Sequence, residues 1–312
     1  MSGAALIGGY GADLLLGDPR RRHPVAGFGR AALALEDLTY APSRRRGVFY
    51  AGTLVALAAI AAEIAARAAA SIGLGRDPVL VVVTWAALGG RSLTGEARGI
   101  LSKLERGDLD AARGSLPALV GRDPAGFNEE QICRATVESV AENTCDAVVG
   151  PLLWGAVAGP AGVVAYRAAN TLDAMVGHRS ERYEEFGWAA ARLDDLMSWV
   201  PARLGATLTA LCSPLLGGSP AATWAVVRRD GPAHPSPNAG RMEAAFAGAL
   251  GLRLGGPLRY AGRFEDRPTL GDGRSPAAAD IRRAVRLSLA VGTLAAGLCA
   301  AACGARSRGV GR

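Results

Sequence analysis

The sequence predicts an all-α, polytopic integral membrane protein with about four to six apolar helices, some of them broken or re-entrant. Three observations carry this. Half of the 312 residues are hydrophobic although only 5% are aromatic, and mean hydropathy is positive. The apolar residues are Ala, Leu, Val and Gly gathered in blocks, the composition of membrane spans rather than of a soluble core. The net charge of +7 rests almost wholly on arginine, Lys103 being the only lysine, and the arginines cluster beside the apolar blocks, as on the cytoplasmic flank of spans.

Residues 2–17, "SGAALIGGYGADLLLG", are apolar but marginal for a span of about 20 residues. The run starts at once, has no basic leader and contains Asp13, so it does not read as a cleavable signal. Residues 48–75 form a long Ala-rich block in which Glu63 and Arg67, four apart with the acid first, neutralise one another on one helix face. Residues 79–90 are β-branched and short; between two apolar blocks they read as a buried or spanning helix. Residues 147–169 are apolar with Gly159-Pro160 in the middle, a dipeptide that breaks a helix and allows a re-entrant hairpin. Residues 200–217 are apolar, interrupted by Arg203 and Pro214. Residues 284–303 form the cleanest late span, before a basic tail. A single membrane-embedded domain over residues 1–312 is expected, with polar cytoplasmic-type segments at 18–47, 91–144 and 218–283.

Composition also excludes. A lone lysine leaves no phosphate loop of the Gly-Lys-Ser/Thr kind. The five cysteines form no CxxC pair and read as small core residues. Arginines flanking spans are the sign of a membrane protein, and no nucleic-acid partner is expected.

Polar residues in apolar surroundings are costly and usually have a task. Four clusters qualify. The first holds Asp13, Asp18, His23 and Arg30. The second, in "ESVAENTCDAVVGPLLW", holds Glu138, Glu142, Asn143 and Asp146; its acids recur every four residues, so they share a helix face and repel unless something positive lies near that face or one carboxyl is protonated. The third holds Arg167, Asn170, Asp173, His178 and Arg179, with the first three at three-residue spacing on one helical side. The fourth, "ARLDDLMSWVPARL", holds Arg192, Asp194, Asp195 and Arg203. Carboxylates in such numbers suit magnesium, which takes one or two of them and completes its shell with water and phosphate. Arginine suits the phosphate itself. The other reading of Asp173 with Arg167 or Arg179, and of Asp194 or Asp195 with Arg192, is a structural ion pair inside a bundle. A Pro-rich loop at 230–238 leads into a helix entered near Arg241, capped by Ser236 or Asn238.

These motifs resemble the CobD/CbiB family of cobalamin biosynthesis. The residues that carry the resemblance are "GDPRRRHPVAGFGR", "ESVAENTCDAVVGPLLW", "YRAANTLDAMVGHRSERYEEFGWAAARLDDLMSWVPARL" and "HPSPNAGRMEAAFAGALGLRLGG", in order from Asp13 to about Gly271. Arg241 stands where the family commonly has an aromatic residue, and His178 where tyrosine is usual. The resemblance implies a multi-pass amide synthase of the cytoplasmic (inner) membrane. It would join adenosylcobyric acid to (R)-1-aminopropan-2-ol phosphate, giving adenosylcobinamide phosphate, with ATP as co-substrate and Mg2+ as cofactor. Membrane lipid and other cobalamin-pathway enzymes are the expected partners.

On that reading Glu138, Glu142 and Asp146 hold the metal. Arg167, Arg179, Arg192 and Asn238 contact substrate phosphate, and Asp194 and Asp195 take a second magnesium or the ammonium of the amino alcohol. Asn143, Asn170 and Asp173 orient the ligands or take the amine proton, and His23 is a candidate general base. The alternatives are a corrinoid or cation transporter, and a magnesium-dependent membrane transferase.

Overall fold

Every apolar block of the sequence lies in helix in the computed structural model, which describes residues 2–19, 23–120, 124–178, 180–256, 258–260, 263–265 and 267–309. In chain order the helices are α1 (Gly3–Leu16), α2 (Pro24–Thr39), α3 (Arg44–Ser71), α4 (Asp77–Ala87), α5 (Gly90–Glu105), α6 (Leu109–Ser115) and α7 (Glu129–Thr144). A π turn at Cys145–Val149 leads into α8 (Gly150–Leu172), and a second π turn, Asp173–Gly177, ends it. Then come α9 (Trp188–Cys212), α10 (Pro220–Asp230), α11 (Ala239–Leu250) and α12 (Ala278–Gly309). Among the described residues the departures from an all-α chain are two minimal antiparallel pairs, β1 (Leu254–Gly255) with β4 (Thr269–Leu270) and β2 (Leu258–Tyr260) with β3 (Arg263–Glu265), and an isolated bridge between Leu252 and Arg274.

Two compact units share the chain, each discontinuous in sequence. One is Met1–Gly89, Asp146–Ser198 and Ala295–Arg312; the other is Gly90–Cys145 and Trp199–Leu294. Among the described residues three segments are long and apolar enough to cross a membrane: Arg44–Ser71, Glu129–Gly177 and Ala278–Ala305. Only 22% of the apolar window of the first is buried within the protein, against 67% for the second. Leu57, Ile60 and Ile64 of α3 are exposed, as a lipid-facing helix requires. At 28 residues α3 spans roughly 42 Å, more than the ~30 Å hydrocarbon core. Its one acid is neutralised as expected: Arg67 Nε donates to Glu63 Oε1 at 2.9 Å. Arg76 adds a second guanidinium to Glu63, at 3.0 and 2.5 Å.

The Gly159-Pro160 break is a helical hairpin. Gly159 has φ 63°, a left-handed value open to glycine at little cost, and proline opens the second arm where its missing N–H is not needed. The arms then run back along each other. A Cβ on Gly155 would lie 2.9 Å from Val163 Cγ2, one on Gly162 would meet the Trp154 carbonyl, and one on Gly150 would overlap the Tyr166 ring. Facing pairs 150 with 166 and 154 with 162 move in opposite senses along the chain, the mark of antiparallel arms. Within α8 the first arm, Gly150–Ala158, has 9 residues and the second, Pro160–Leu172, has 13; the second reaches roughly 20 Å, short of the ~30 Å hydrocarbon core, while the first continues through the π turn into α7. In this unit α8 packs on α3 and α4, and α1 packs on α4.

The segment after the second π turn is held by α2. Glu36, buried, accepts from Arg182 Nε at 3.2 Å, Arg182 Nη2 at 2.9 Å and Tyr183 Oη at 3.0 Å, while the Arg182 guanidinium stacks 4.0 Å from the Tyr40 ring centroid. In the second unit α11 packs on α7 and α10, and α5 packs on α6 and α7.

Candidate active site

The open end of the hairpin gathers the polar side chains of the first unit. Asp146 stands in the first π turn. Tyr166, Arg167 and Asn170 follow at helical spacing on the second arm of α8, Asp173 opens the second π turn, and Asp194, Asp195 and Ser198 lie on α9. Asn170 Nδ2 donates to Asp146 Oδ2 at 3.3 Å and to Asp194 Oδ1 at 3.4 Å. The Tyr166 hydroxyl lies 3.5 Å from Asp146 Oδ1 and 3.2 Å from Ser198 Oγ. Arg167 Nη1 donates to Asn170 Oδ1 at 3.3 Å, which fixes the amide with its nitrogen toward the two carboxylates. Both carboxylates of the cluster that touch Asn170 therefore come from separate helices and share one donor.

Burial pushes the Asp194 carboxyl up to about 8, and the neighbouring charges of Asp146 and Asp173 add to the effect. Desolvation also raises Asp195, against the pull of Arg192, whose Nη1 is 3.5 Å from Asp195 Oδ2. A bound cation would offset both the burial and the repulsion that favour a proton on Asp194. The oxygen donors are two carboxylates and two hydroxyls, hard groups of the kind magnesium accepts, while the Asn170 amide turns its NH2 to the carboxylates and orients them. Among the described residues no group of three or more His, Cys, Asp or Glu side chains is placed to hold a metal ion, so protein carboxylates would supply two positions and water or substrate the others.

Asp173 depends on glycine for its place: a Cβ on Gly177 would overlap the Asp173 carboxylate. Arg167 is enclosed, with Nε buried and lacking a hydrogen-bond partner. The charges of Asp146 and Asp18 act on it. It lines an otherwise apolar cavity of about 230 Å3, with Val25, Phe28, Val82 and Val164.

The residues of the expected metal trio fall in both units. Asp146 belongs to the first unit, Glu138 and Glu142 to the second. Glu138 is a loop anchor: its Oε1 accepts the Gly255 N–H at 2.7 Å. Glu138 and Glu142 line a cavity of about 110 Å3 with Ser139 and Glu243. Asn143 turns back on its own helix, donating to the Ser139 carbonyl at 3.0 Å. His23 caps α2, its Nδ1 accepting from Val25 N at 3.1 Å, which leaves the neutral ring its proton on Nε2 and no free base nitrogen. Asn238, in the second unit, accepts from Arg203 Nη1 at 3.4 Å, and Ser236 caps α11 by accepting from Ala239 N at 3.1 Å. Arg179 lies outside the described residues. Of the expected residues, Asp146, Arg167, Asn170, Asp173, Asp194 and the Arg192–Asp195 pair belong to the one unit.

Tyr166, Ser198 and the two π turns were not among the expectations. Tyr166 lies four residues before Asn170 and Ser198 four after Asp194, so i,i+4 spacing from a suspected site residue is the signal that finds them.

Fold and site together define a polytopic all-α membrane protein with a helical hairpin and a buried carboxylate–amide centre. The family model for the CobD/CbiB protein matches residues 6–288, so this chain belongs to the CobD/CbiB family. The cobalamin biosynthesis protein CobD of Mycobacterium tuberculosis (strain H37Rv) is 54% identical over 282 residues, covering 89% of this chain and 88% of that protein. The protein of the same name from Geobacter metallireducens is 44% identical over 280 residues, 88% of each chain. That of Rhodobacter capsulatus is 42% identical over 310 residues, 95% of this chain and 97% of that one. No solved structure matches. Membership gives the chain an enzymatic role in cobalamin biosynthesis.

Proposed function

We propose that this protein is an amide synthase of the cytoplasmic membrane, joining adenosylcobyric acid to (R)-1-aminopropan-2-ol phosphate to give adenosylcobinamide phosphate, with ATP consumed and Mg2+ required. Family membership supports the pathway. The observation that carries the chemistry is Asn170 Nδ2 between Asp146 and Asp194, an oxygen-rich site beside an enclosed arginine. Amide formation from a carboxylate needs activation: the γ-phosphoryl group passes to the propionate oxygen, ADP leaves, and the amine displaces phosphate at the carbonyl carbon while losing a proton.

Asp146 and Asp194 would hold the magnesium, which when bound supplies charge neutralisation for the phosphates. Asn170 keeps the two carboxylates at one spacing. Arg167 meets a phosphate oxygen through its unpartnered Nε, and Arg192 lies at the exposed end of the same cluster. Asp173, held over Gly177, accepts the proton that the attacking amine releases. Membrane lipid surrounds the chain, and enzymes of adjoining steps are its proposed neighbours.

The hairpin favours a second reading, since broken helices bearing acids also occur in carriers. Membranes holding the protein, given adenosylcobyric acid, ATP, Mg2+ and aminopropanol phosphate, separate the two. Adenosylcobinamide phosphate formed only with the complete mixture supports the synthase. Corrinoid entering sealed vesicles with no amide made supports the carrier.

A further inference from the structure

In the first unit a cavity of about 230 Å3 lies between α2, α3, α4 and the second arm of α8. Phe28 of α2, Ala58 of α3, Val82 and Ala86 of α4 and Val164 of α8 line it, and Arg167 is the one charged residue among its described lining. The polar groups of the α8 wall are turned to the protein. Thr171 Oγ1 donates to the Arg167 carbonyl at 2.7 Å, and Arg167 Nη1 to Asn170 Oδ1 at 3.3 Å.

The walls and the mouth decide what fills this space. A water molecule needs two to four polar partners, and walls of alkyl groups do not supply them. Left empty, the void would deprive its lining of dispersion contacts. An apolar cavity of about 150 Å3 already holds benzene, so this one has room for a run of methylene groups. Val82 lines the cavity and is itself 56% exposed, so the cavity reaches the surface at α4. On α3, Leu57, next to Ala58, is 59% exposed and belongs with Ile60 and Ile64 to the apolar face that this span turns to lipid. The mouth is thus continuous with a surface that meets hydrocarbon.

We propose that the cavity takes a segment of a bilayer phospholipid's acyl chain, entering past Val82, and that the chain packs on the stem of Arg167 and buttresses its contact with Asn170. The site is one for hydrocarbon and does not select a headgroup. The binding is independent of amide synthesis. Its consequence for activity rests on the synthase reading, through the hydrogen bond from Arg167 to the amide that spaces Asp146 and Asp194.

The full-length protein in phosphatidylcholine nanodiscs carrying a mid-chain diazirine is photolysed, and the labelled residues are mapped by mass spectrometry. Labels are expected on Phe28 and Val164, inside the cavity, as well as on Ile60 and Ile64 of the outer face. Ala58→Phe fills the cavity and Val82→Trp closes its mouth; each is expected to lower the first pair of labels about tenfold or more, as overpacking a filled site does, and to leave the second pair unchanged. Val82 is exposed, so Val82→Trp keeps the test usable if Ala58→Phe unfolds. In detergent stripped of lipid, wild-type amide synthesis is expected to fall about tenfold and to return with added phosphatidylcholine. Ala58→Phe, whose ring takes the place of the chain, is expected to respond to lipid much less.

Labels confined to Ile60 and Ile64 in the wild type overturn the proposal. So does cavity labelling that both variants leave unchanged, or that ATP, aminopropanol phosphate or adenosylcobyric acid displaces, since displacement assigns the cavity to a substrate. Wild-type synthesis that is indifferent to lipid while the cavity is labelled overturns the buttress alone. Cavity labelling in a protein that makes no amide overturns the synthase reading alone.

Discussion

Asn170 stands between Asp146 and Asp194, its Nδ2 at 3.3 Å from one carboxylate and 3.4 Å from the other. One amide thus sets the spacing of two acids that would otherwise repel. Replacing Asn170 with Ala removes the spacer and is expected to lower amide synthesis roughly 10- to 100-fold, the usual effect of deleting a group that orients cation ligands. Asn170→Asp adds a third negative charge and is expected to be worse at limiting Mg2+. Product formation by purified enzyme, with thermal unfolding as a control, measures both.

The protonation of Asp194 gives a pH dependence with a definite sign. Its value in the folded protein, about 8, lies above the ordinary carboxylate range. A group raised on folding contributes stability that is fully present below its unfolded value, near 4, and lost as pH rises through its folded value. Without divalent cation this contribution is therefore expected to lower the melting temperature of the wild type between about pH 4 and about pH 8 and to level off above that. Asp194→Asn is expected to flatten that slope, and millimolar Mg2+ to reduce it. Melting curves at fixed ionic strength read the effect.

The hairpin turn makes a stability prediction. Gly159 holds φ 63° and ψ −147°, at the edge of a region open essentially to glycine alone, which costs an L-residue about 1–3 kcal/mol. Gly159→Ala should lower stability by that order, and Gly159→Val by more, while a Gly→Ala change at the helical Gly52, where an added Cβ meets nothing within 4 Å, should not. Denaturation in a single detergent compares the three.

Glu138 and Asp146, alike in sequence, should behave differently. Glu138→Gln keeps an acceptor for the Gly255 N–H and is expected to leave the Mg2+ requirement unchanged. Glu138→Ala leaves that buried donor unpaired, at a cost of about 1–3 kcal/mol in stability. Asp146→Asn is expected to leave the fold standing and abolish most synthesis. Activity and melting temperature on the same preparations distinguish the two roles.

Much of this was legible in the sequence. Spans show because a bilayer demands long apolar runs, and α3 and α12 are such runs. The hairpin shows because Gly159-Pro160 offers both a positive φ and a missing donor in the middle of one. Asn170, Asp173 and Asp194 show because acids and amides in apolar surroundings need a reason. The π turns at Cys145 and Asp173 do not show, since an inserted residue in a helix is fixed by packing rather than by propensity. The Glu36–Arg182 pair is equally hidden: its partners stand 146 residues apart, and no local pattern connects them. The capping role of His23 is local, but the same residue in the same place reads as a base until its Nδ1 is seen to accept the Val25 N–H.

The most direct test is the Mg2+ dependence of adenosylcobinamide phosphate formation in Asp146→Asn, Asp194→Asn and Glu138→Gln beside wild type. If Asp146 and Asp194 hold the cation, half-saturation moves to about tenfold or more higher Mg2+ in the first two variants and stays at the wild-type value in the third. Unchanged Mg2+ dependence in Asp146→Asn and Asp194→Asn, with the shift appearing in Glu138→Gln, would contradict it.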